Sequence, residues 1–225
     1  VSLSTRIDAI LFDLDGTLVD TAADFVFVLN DQRKKHQLQP LPAQIIRDTV
    51  SDGARALTKL AFGGEPGQHN FEEKRLELLE LYAEQAGNQA QLFEGMNGVL
   101  RHFESQNIPW GIVTNKPRRF TKILLDKLDL SSRSTITLCP DDVVKAKPDP
   151  ESLFLACAHL NCAPEKTIYV GDHERDIIAG KAANMKTVAA GYGYILDKKK
   201  ISDWQADFEI DHPSELISLF NLYNL

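Results

Sequence analysis

Ile7-Asp-Ala-Ile-Leu-Phe12 runs straight into Asp13-Leu-Asp15-Gly16-Thr17. The first part is short, apolar and bounded by turn residues, which suits a strand buried on both faces of a parallel sheet. The second part puts two carboxylates two residues apart on a loop that Gly16 can turn. The arrangement recurs twice further on. Trp110-Gly-Ile-Val113 stops at Thr114-Asn115, and Thr167-Ile-Tyr-Val170 stops at Gly171-Asp172. Helical patterns separate these runs. Phe120, Ile123, Leu124 and Leu128 share one face, with Arg118, Lys122 and Lys127 on the other. Leu153, Cys157 and Leu160 mark a second helix, opened by Pro150-Glu151. A third covers about Asp176 to Ala183, where Asn184 can take the left-handed terminal position. Alternating strand and helix predict an α/β fold with a doubly wound parallel sheet, whose ligands bind beyond the C-terminal strand ends. All three polar stops lie at such ends.

The stretch from about Ala22 to Leu92 breaks the alternation. Its patterns are helical throughout, over Ala22–His36, about Ala43–Val50, Ala54–Phe62 and Phe71–Gln85. Gly/Pro-rich punctuation such as Pro40-Leu-Pro42 and Gly63-Gly-Glu-Pro-Gly67 separates them. The reading is an α/β core domain over 1–20 and 92–225, with a helical subdomain, 21–91, inserted after the first strand. There are no internal repeats, and Lys198-Lys-Lys200 reads as a solvated turn.

With 225 residues, the chain is one large domain or one domain carrying an insertion. Its 25 Lys+Arg against 32 Asp+Glu give a net charge of −7, which argues against nucleic acid or an anionic membrane as partner. The apolar run Phe25 to Leu29 is far short of the roughly 20 residues a membrane span needs. Val1-Ser-Leu-Ser-Thr-Arg6 shows no signal-peptide pattern. Cys139, Cys157 and Cys162 have no metal or redox spacing and read as buried small residues in a reducing, cytoplasmic setting. Nothing in the sequence speaks to oligomeric state.

Two carboxylates as close as Asp13 and Asp15 resist ionising together unless a cation is near. One can serve as nucleophile while the other moves a proton. The pair therefore predicts a metal, a partner lysine, or both. Gly171-Asp172-His-Glu-Arg-Asp176 adds two acidic residues at the start of a helix. Converging carboxylates with backbone oxygens are what Mg²⁺ takes while it binds a substrate phosphate. His173 reads as an orienting or exposed residue rather than a ligand. Lys147, in Lys145-Ala-Lys-Pro-Asp-Pro150, sits in a loop stiffened by two prolines. Thr114 and Asn115 offer a hydroxyl and N–H groups at a strand end, suited to phosphoryl oxygens.

The order Asp-x-Asp-Gly-Thr, Thr-Asn, Lys-Pro, Gly-Asp-x-x-x-Asp resembles the haloacid dehalogenase superfamily over essentially the whole chain. The DLDGTLVDT start, the VTNKP stretch, KPDP and the helical insert are similar to its phosphoglycolate phosphatase branch. Ser51-Asp-Gly-Ala-Arg55, Leu138-Cys-Pro-Asp141, Gly191-Tyr-Gly-Tyr194 and Asp211-His-Pro213 look like the bacterial N-acetylmuramic acid 6-phosphate phosphatases of that branch.

The resemblance implies an Mg²⁺-dependent phosphomonoester hydrolase. Asp13 would attack phosphorus, and Asp15 would protonate the leaving group and then activate water. It implies metal binding by Asp13, Asp15 through its carbonyl, and Asp172, with Asp176 close by. Gly16, Thr114, Asn115 and Lys147 would bind the phosphate. The substrate would be a small carboxylate-bearing phosphate ester, N-acetylmuramic acid 6-phosphate or 2-phosphoglycolate. Asp15 favours phosphoryl transfer, since dehalogenases of the superfamily lack that second aspartate. A sugar phosphomutase uses the same motifs and stands as the alternative. A non-catalytic binding protein would be expected to lose one of Asp13, Asp15, Lys147 or Asp172, and all are present. Where His173 stands, the family often has a small or hydroxyl residue. Substrate choice is expected on the insert. Its candidate loop has Ser51, Gly53 allowing close approach, and Arg55 pairing a substrate carboxylate. A helix N-terminus with a solvated arginine is the other reading of that loop.

Overall fold

The computed structural model describes residues 6–195 and 198–224, the side chains of 198–200 and 224 excepted. The first five residues of the N-terminal reading, and the side chains of the Lys198-Lys-Lys200 run, thus lie outside the described residues. The chain opens with β1 (Ala9–Phe12), β2 (Val19–Asp20) and four helices: α1 (Ala22–Lys35), α2 (Ala43–Arg47), α3 (Gly53–Phe62) and α4 (His69–Gln85). Then come β3 (Gln91–Leu92), α5 (Met96–Ser105), β4 (Trp110–Val113), α6 (Arg118–Lys127), β5 (Ile136–Leu138) and α7 (Glu151–Leu160). The last elements are β6 (Thr167–Gly171), α8 (Glu174–Ala182), β7 (Lys186–Ala190), β8 (Phe208–Ile210) and α9 (Glu215–Asn224).

Six strands form one sheet in the order β5-β4-β1-β6-β7-β8, every pair parallel. The doubly wound parallel α/β sheet expected from the sequence is therefore present. β1 lies at its centre because it is apolar at every position: all four residues are fully buried, and Phe12 meets Trp110 of β4 edge to face. Its neighbours β4 and β6 carry the other two polar stops, so all three reactive loops leave one edge of the sheet side by side.

α6 serves two cores. Leu124 and Leu125 pack under the sheet, while Phe120 and Ile123 join the apolar cluster of α1–α4. That cluster is built on Phe25, Leu29, Leu57, Leu78 and Tyr82, with Phe25 and Tyr82 stacked 4.2 Å apart. The helical stretch is bracketed by a short antiparallel ribbon in which Val19 pairs with Leu92 and Asp20 with Gln91.

Several boundaries differ from the sequence expectation. α2 stops at Arg47 rather than continuing to Val50: the Thr49 hydroxyl donates to the Ile45 carbonyl, and a 3-10 turn over Val50–Asp52 leads to Gly53 at φ +82°. α8 begins at Glu174, two residues early, because His173 caps it. The His173 ring accepts from the Arg175 N–H, while Asp176 accepts from the His173 N–H. Asn184 takes the left-handed position expected of it, at φ +60°. Among the described residues no helix is long and apolar enough to cross a membrane.

Candidate active site

Asp13 is the first residue past β1, and its N–H donates to the Val170 carbonyl at 2.9 Å, tying the loop to β6. Its Oδ1 accepts the Leu14 N–H at 2.7 Å and lies 3.0 Å from Lys147 Nζ. The Lys147 side chain is fully buried. Its ammonium also lies 2.7 Å from Asp176 Oδ1, and it donates to the Val113 carbonyl and the Tyr169 hydroxyl. A buried cation survives only if its donors are satisfied in this way. The partner lysine predicted from the carboxylate pair is thus at hand.

Asp172 completes a second contact set. Its Oδ1 accepts the Thr17 hydroxyl at 2.9 Å, and its Oδ2 accepts the Ser51 hydroxyl at 3.0 Å and the Tyr194 N–H at 3.1 Å. Burial, then the charges of Asp13 and Asp176, push Asp172 up to about 7. Burial also raises Asp176, against the opposing pull of Lys147. Carboxylate oxygens of Asp13, Asp172 and Asp176 all lie within 4.8 Å of one another. Three buried carboxylates crowd more negative charge than one lysine neutralises. An all-oxygen donor set of this kind fits a hard divalent cation. The Asp15 side chain is not in this set. Its Oδ1 accepts from the Thr21 hydroxyl at 2.6 Å and from Lys116 Nζ at 2.9 Å.

Lys116 is a site residue that sequence reasoning missed. Only 8% exposed, it lies with Nζ 4.5 Å from the ring centre of Tyr82 and 5.2 Å from that of Phe25. Burial works against its charge, but Asp15 and Tyr82 outweigh burial and raise its pKa. The VTNKP stretch contained it. Nothing local, however, shows that rings from α1 and α4 will cover that lysine. Tyr169 and Tyr194 were missed for the same reason, since their partners are distant in the chain.

The Asn115 amide donates to the Lys147 carbonyl at 2.9 Å and accepts the Lys147 N–H at 3.1 Å, so it braces the lysine loop. Thr114 is buried, and its hydroxyl accepts the Lys116 N–H. Gly16 has φ +79° and lies directly against Asp172. Gly53 has φ +82° and open space where a Cβ would stand, so no neighbouring protein atom requires glycine there, while its positive φ does. Ser51 reaches Asp172, and Arg55 lines the cavity described next. His173 is the helix cap described above, with Nε2 3.5 Å from Asp52 Oδ1. The thiols differ from the expectation in one case: Cys139 and Cys157 are buried, but Cys162 is only half-buried.

A cavity of about 640 Å³ opens between the strand ends and the helical stretch. Asp13, Asp15, Thr114 and Lys116 line it from the sheet side. Phe25, Tyr82, Arg55 and Arg75 line it from the helices. Arg55, Arg75, Lys116 and Arg175 meet Asp13, Asp15 and Asp52 in its lining, a positive balance in a chain of net charge −7.

The model of the haloacid dehalogenase-like hydrolases matches residues 10–190. An N-acetylmuramic acid 6-phosphate phosphatase of Pseudomonas putida is 44% identical over 211 residues, 94% of this chain and 95% of that protein. A phosphoglycolate phosphatase of Xanthomonas campestris is 37% identical over 208 residues, 92% and 94% of the two chains. Among solved structures, a haloacid dehalogenase-like family hydrolase of Streptococcus pneumoniae superposes with TM-score 0.81 at 21% identity. It covers 95% of this chain and 98% of its own, and this likeness bears on the fold. With the Asp13 loop, Lys147 and the Asp172–Asp176 helix gathered at one sheet edge, the chain belongs to the haloacid dehalogenase-like hydrolase family, as one of its phosphatases.

Proposed function

We propose that this phosphatase cleaves its ester through an aspartyl-phosphate on Asp13, with Mg²⁺ as cofactor. The observation that carries the reading is Asp13 itself, buried, held by Lys147 and facing the cavity. An Asp13 carboxylate oxygen attacks phosphorus as the phosphorus–ester oxygen bond breaks, and the departing alkoxide takes a proton from Asp15. Water then attacks the same phosphorus and returns a proton to Asp15, as the Asp13–phosphorus bond breaks and inorganic phosphate leaves. Thr21 and Lys116 hold the Asp15 carboxyl in orientation. Lys147, braced by Asn115, neutralises charge beside Asp13, and Thr114 and the Gly16 turn border the phosphoryl position. Mg²⁺, held by Asp13, Asp172 and the Asp15 carbonyl with Asp176 close by, would supply further neutralisation of the phosphoryl oxygens.

Residues 21–91 act as the cap over this core, and Ser51, Gly53 and Arg55 belong to its substrate loop. The substrate is a small carboxylate-bearing phosphate ester. Relatives of both names match this chain, and the cavity favours the larger molecule. A space of about 640 Å³ suits a substituted sugar phosphate and would leave 2-phosphoglycolate mostly unenclosed. N-Acetylmuramic acid 6-phosphate is therefore the first choice. The free cysteines suit a reducing, cytoplasmic setting.

The test is inorganic phosphate release with Mg²⁺ from both esters, with chelator and Asp13→Asn as controls. Loss of turnover by about a thousandfold or more in Asp13→Asn is expected for a missing nucleophile. Full Mg²⁺-dependent turnover by that variant would sink the covalent intermediate. Conversion to an isomeric sugar phosphate without phosphate release would point to a mutase.

A further inference from the structure

α4 presents a stripe to the cavity. Arg75, Leu79 and Tyr82 fall at i, i+4 and i+7 and all line it. Tyr82 marks the reacting end, because its ring covers Lys116, which holds Asp15. Arg75 stands two helical turns away on the same face, on the order of 10 Å along the axis. Between them the wall is apolar, with Phe25 stacked on Tyr82. The cavity thus has a phosphate end, an apolar middle and a guanidinium end.

Arg75 is set up to receive an anion. Its Nε donates to Glu72 Oε2 at 2.6 Å, which fixes the plane of the guanidinium. A guanidinium has five N–H donors, so the terminal amino groups stay available for a bidentate partner. Arg55, on α3, lines the same cavity. The hydrogen bond from Arg75, together with the weaker field of Arg55, holds the Glu72 carboxyl below its ordinary range. Arg55 and Arg75 thus bring two guanidinium groups to the helical wall of one cavity.

We propose that Arg75, working with Arg55, receives the substrate's carboxylate at the end of the cavity opposite the phosphate, and so selects a sugar phosphate that bears a lactyl ether. The inference rests on the substrate reading above and deepens it. In N-acetylmuramic acid 6-phosphate the phosphate stands on C6 and the lactyl ether on C3, with C5 and C4 between them, so the two anions are far enough apart for both ends of the cavity to be filled together. In 2-phosphoglycolate a single methylene separates the two anions, too little to span two helical turns.

The decisive comparison uses N-acetylmuramic acid 6-phosphate and N-acetylglucosamine 6-phosphate, the same sugar phosphate without the lactyl ether. Wild type is expected to prefer the first. In Arg75→Gln, kcat/KM should fall at least about tenfold more on the lactyl substrate than on the other, mainly through KM. Arg75→Lys should keep part of the preference, because a point charge replaces a fork. Arg55→Gln, on a different helix, should show the same substrate-selective loss and stands in if an Arg75 variant misfolds. Equal losses on both sugars, or a wild type with no preference between them, would overturn the fork while leaving the phosphatase reading intact. A wild type that releases phosphate from neither sugar would overturn the substrate reading and the fork with it.

Discussion

At Gly16, a Cβ would stand 2.1 Å from Asp172 Oδ2, on a backbone with φ +79°. Both facts forbid a side chain there. Gly16→Ala must strain the left-handed turn, at about 1–2 kcal/mol, and must also push Asp172 away. A displacement of ångström size at a reacting centre costs about a hundredfold in rate. Gly16→Ala is therefore expected to lower the melting temperature by a few degrees and phosphate release by about that factor, read by thermal melt and turnover on the same preparation. An active variant would mean that Asp172 has slack the geometry does not show. The motif made this glycine legible as a turn. Its contact with Asp172 was not, because that contact needs β1 and β6 laid side by side.

Between elements, Tyr194 is the tie. Its hydroxyl accepts the Ala22 N–H at 2.8 Å and donates to Asp20 Oδ1 at 2.7 Å, where the chain turns into α1. Its ring lies under Arg47, which pairs with the same Asp20. Its backbone N–H holds Asp172. Tyr194→Phe keeps the ring and the backbone bond but removes the hydroxyl's bond to the Asp20 carboxylate and leaves the Ala22 N–H only its longer bond to Asp20 Oδ1 at 3.3 Å, at about 1–3 kcal/mol. A melting temperature lowered by about 2–10 °C is the expected result for a chain of this size. No shift would mean that water replaces the hydroxyl at no cost. The elements themselves were unevenly legible. β1, β4 and β6 could be read because strands buried on both faces are continuous apolar runs. β5 and β8, of three residues each, and the alanine-rich Lys186–Ala190 of β7 carry too little pattern of their own. They are strands because a neighbour offers hydrogen bonds. Asn115 was legible as a polar strand end, yet its partner, the Lys147 loop, follows a full crossover later.

For the molecule as a whole, the carboxylate cluster sets a pH dependence of stability. Asp172 ordinarily titrates near 3.8 and is pushed up to about 7 by burial and by Asp13 and Asp176. Between those values the folded chain keeps a proton that the unfolded chain has released. The stabilisation from protonated Asp172 is thus fully present below about pH 4 and is lost as pH rises through about 7. In chelator, the melting temperature of wild type relative to Asp172→Asn should fall between about pH 4 and about pH 7 and level off above that. Added Mg²⁺ should raise the wild-type value most at the upper end, where the carboxylates are ionised. A difference that does not move with pH would show that Asp172 ionises freely in the folded chain. The short ribbon has a consequence of another kind. Because Val19 pairs with Leu92 and Asp20 with Gln91, the chain leaves and rejoins the sheet side at neighbouring strands, about 4.8 Å apart. A foreign segment whose own ends meet at that spacing can be spliced between them without disturbing β1 or α5. On the proposed reading of residues 21–91 as the cap, transplanting that one contiguous stretch would change the choice of ester, provided that the new segment again covers Phe120, Tyr194 and Lys116, whereas a new reaction would require rewriting three strand ends at once.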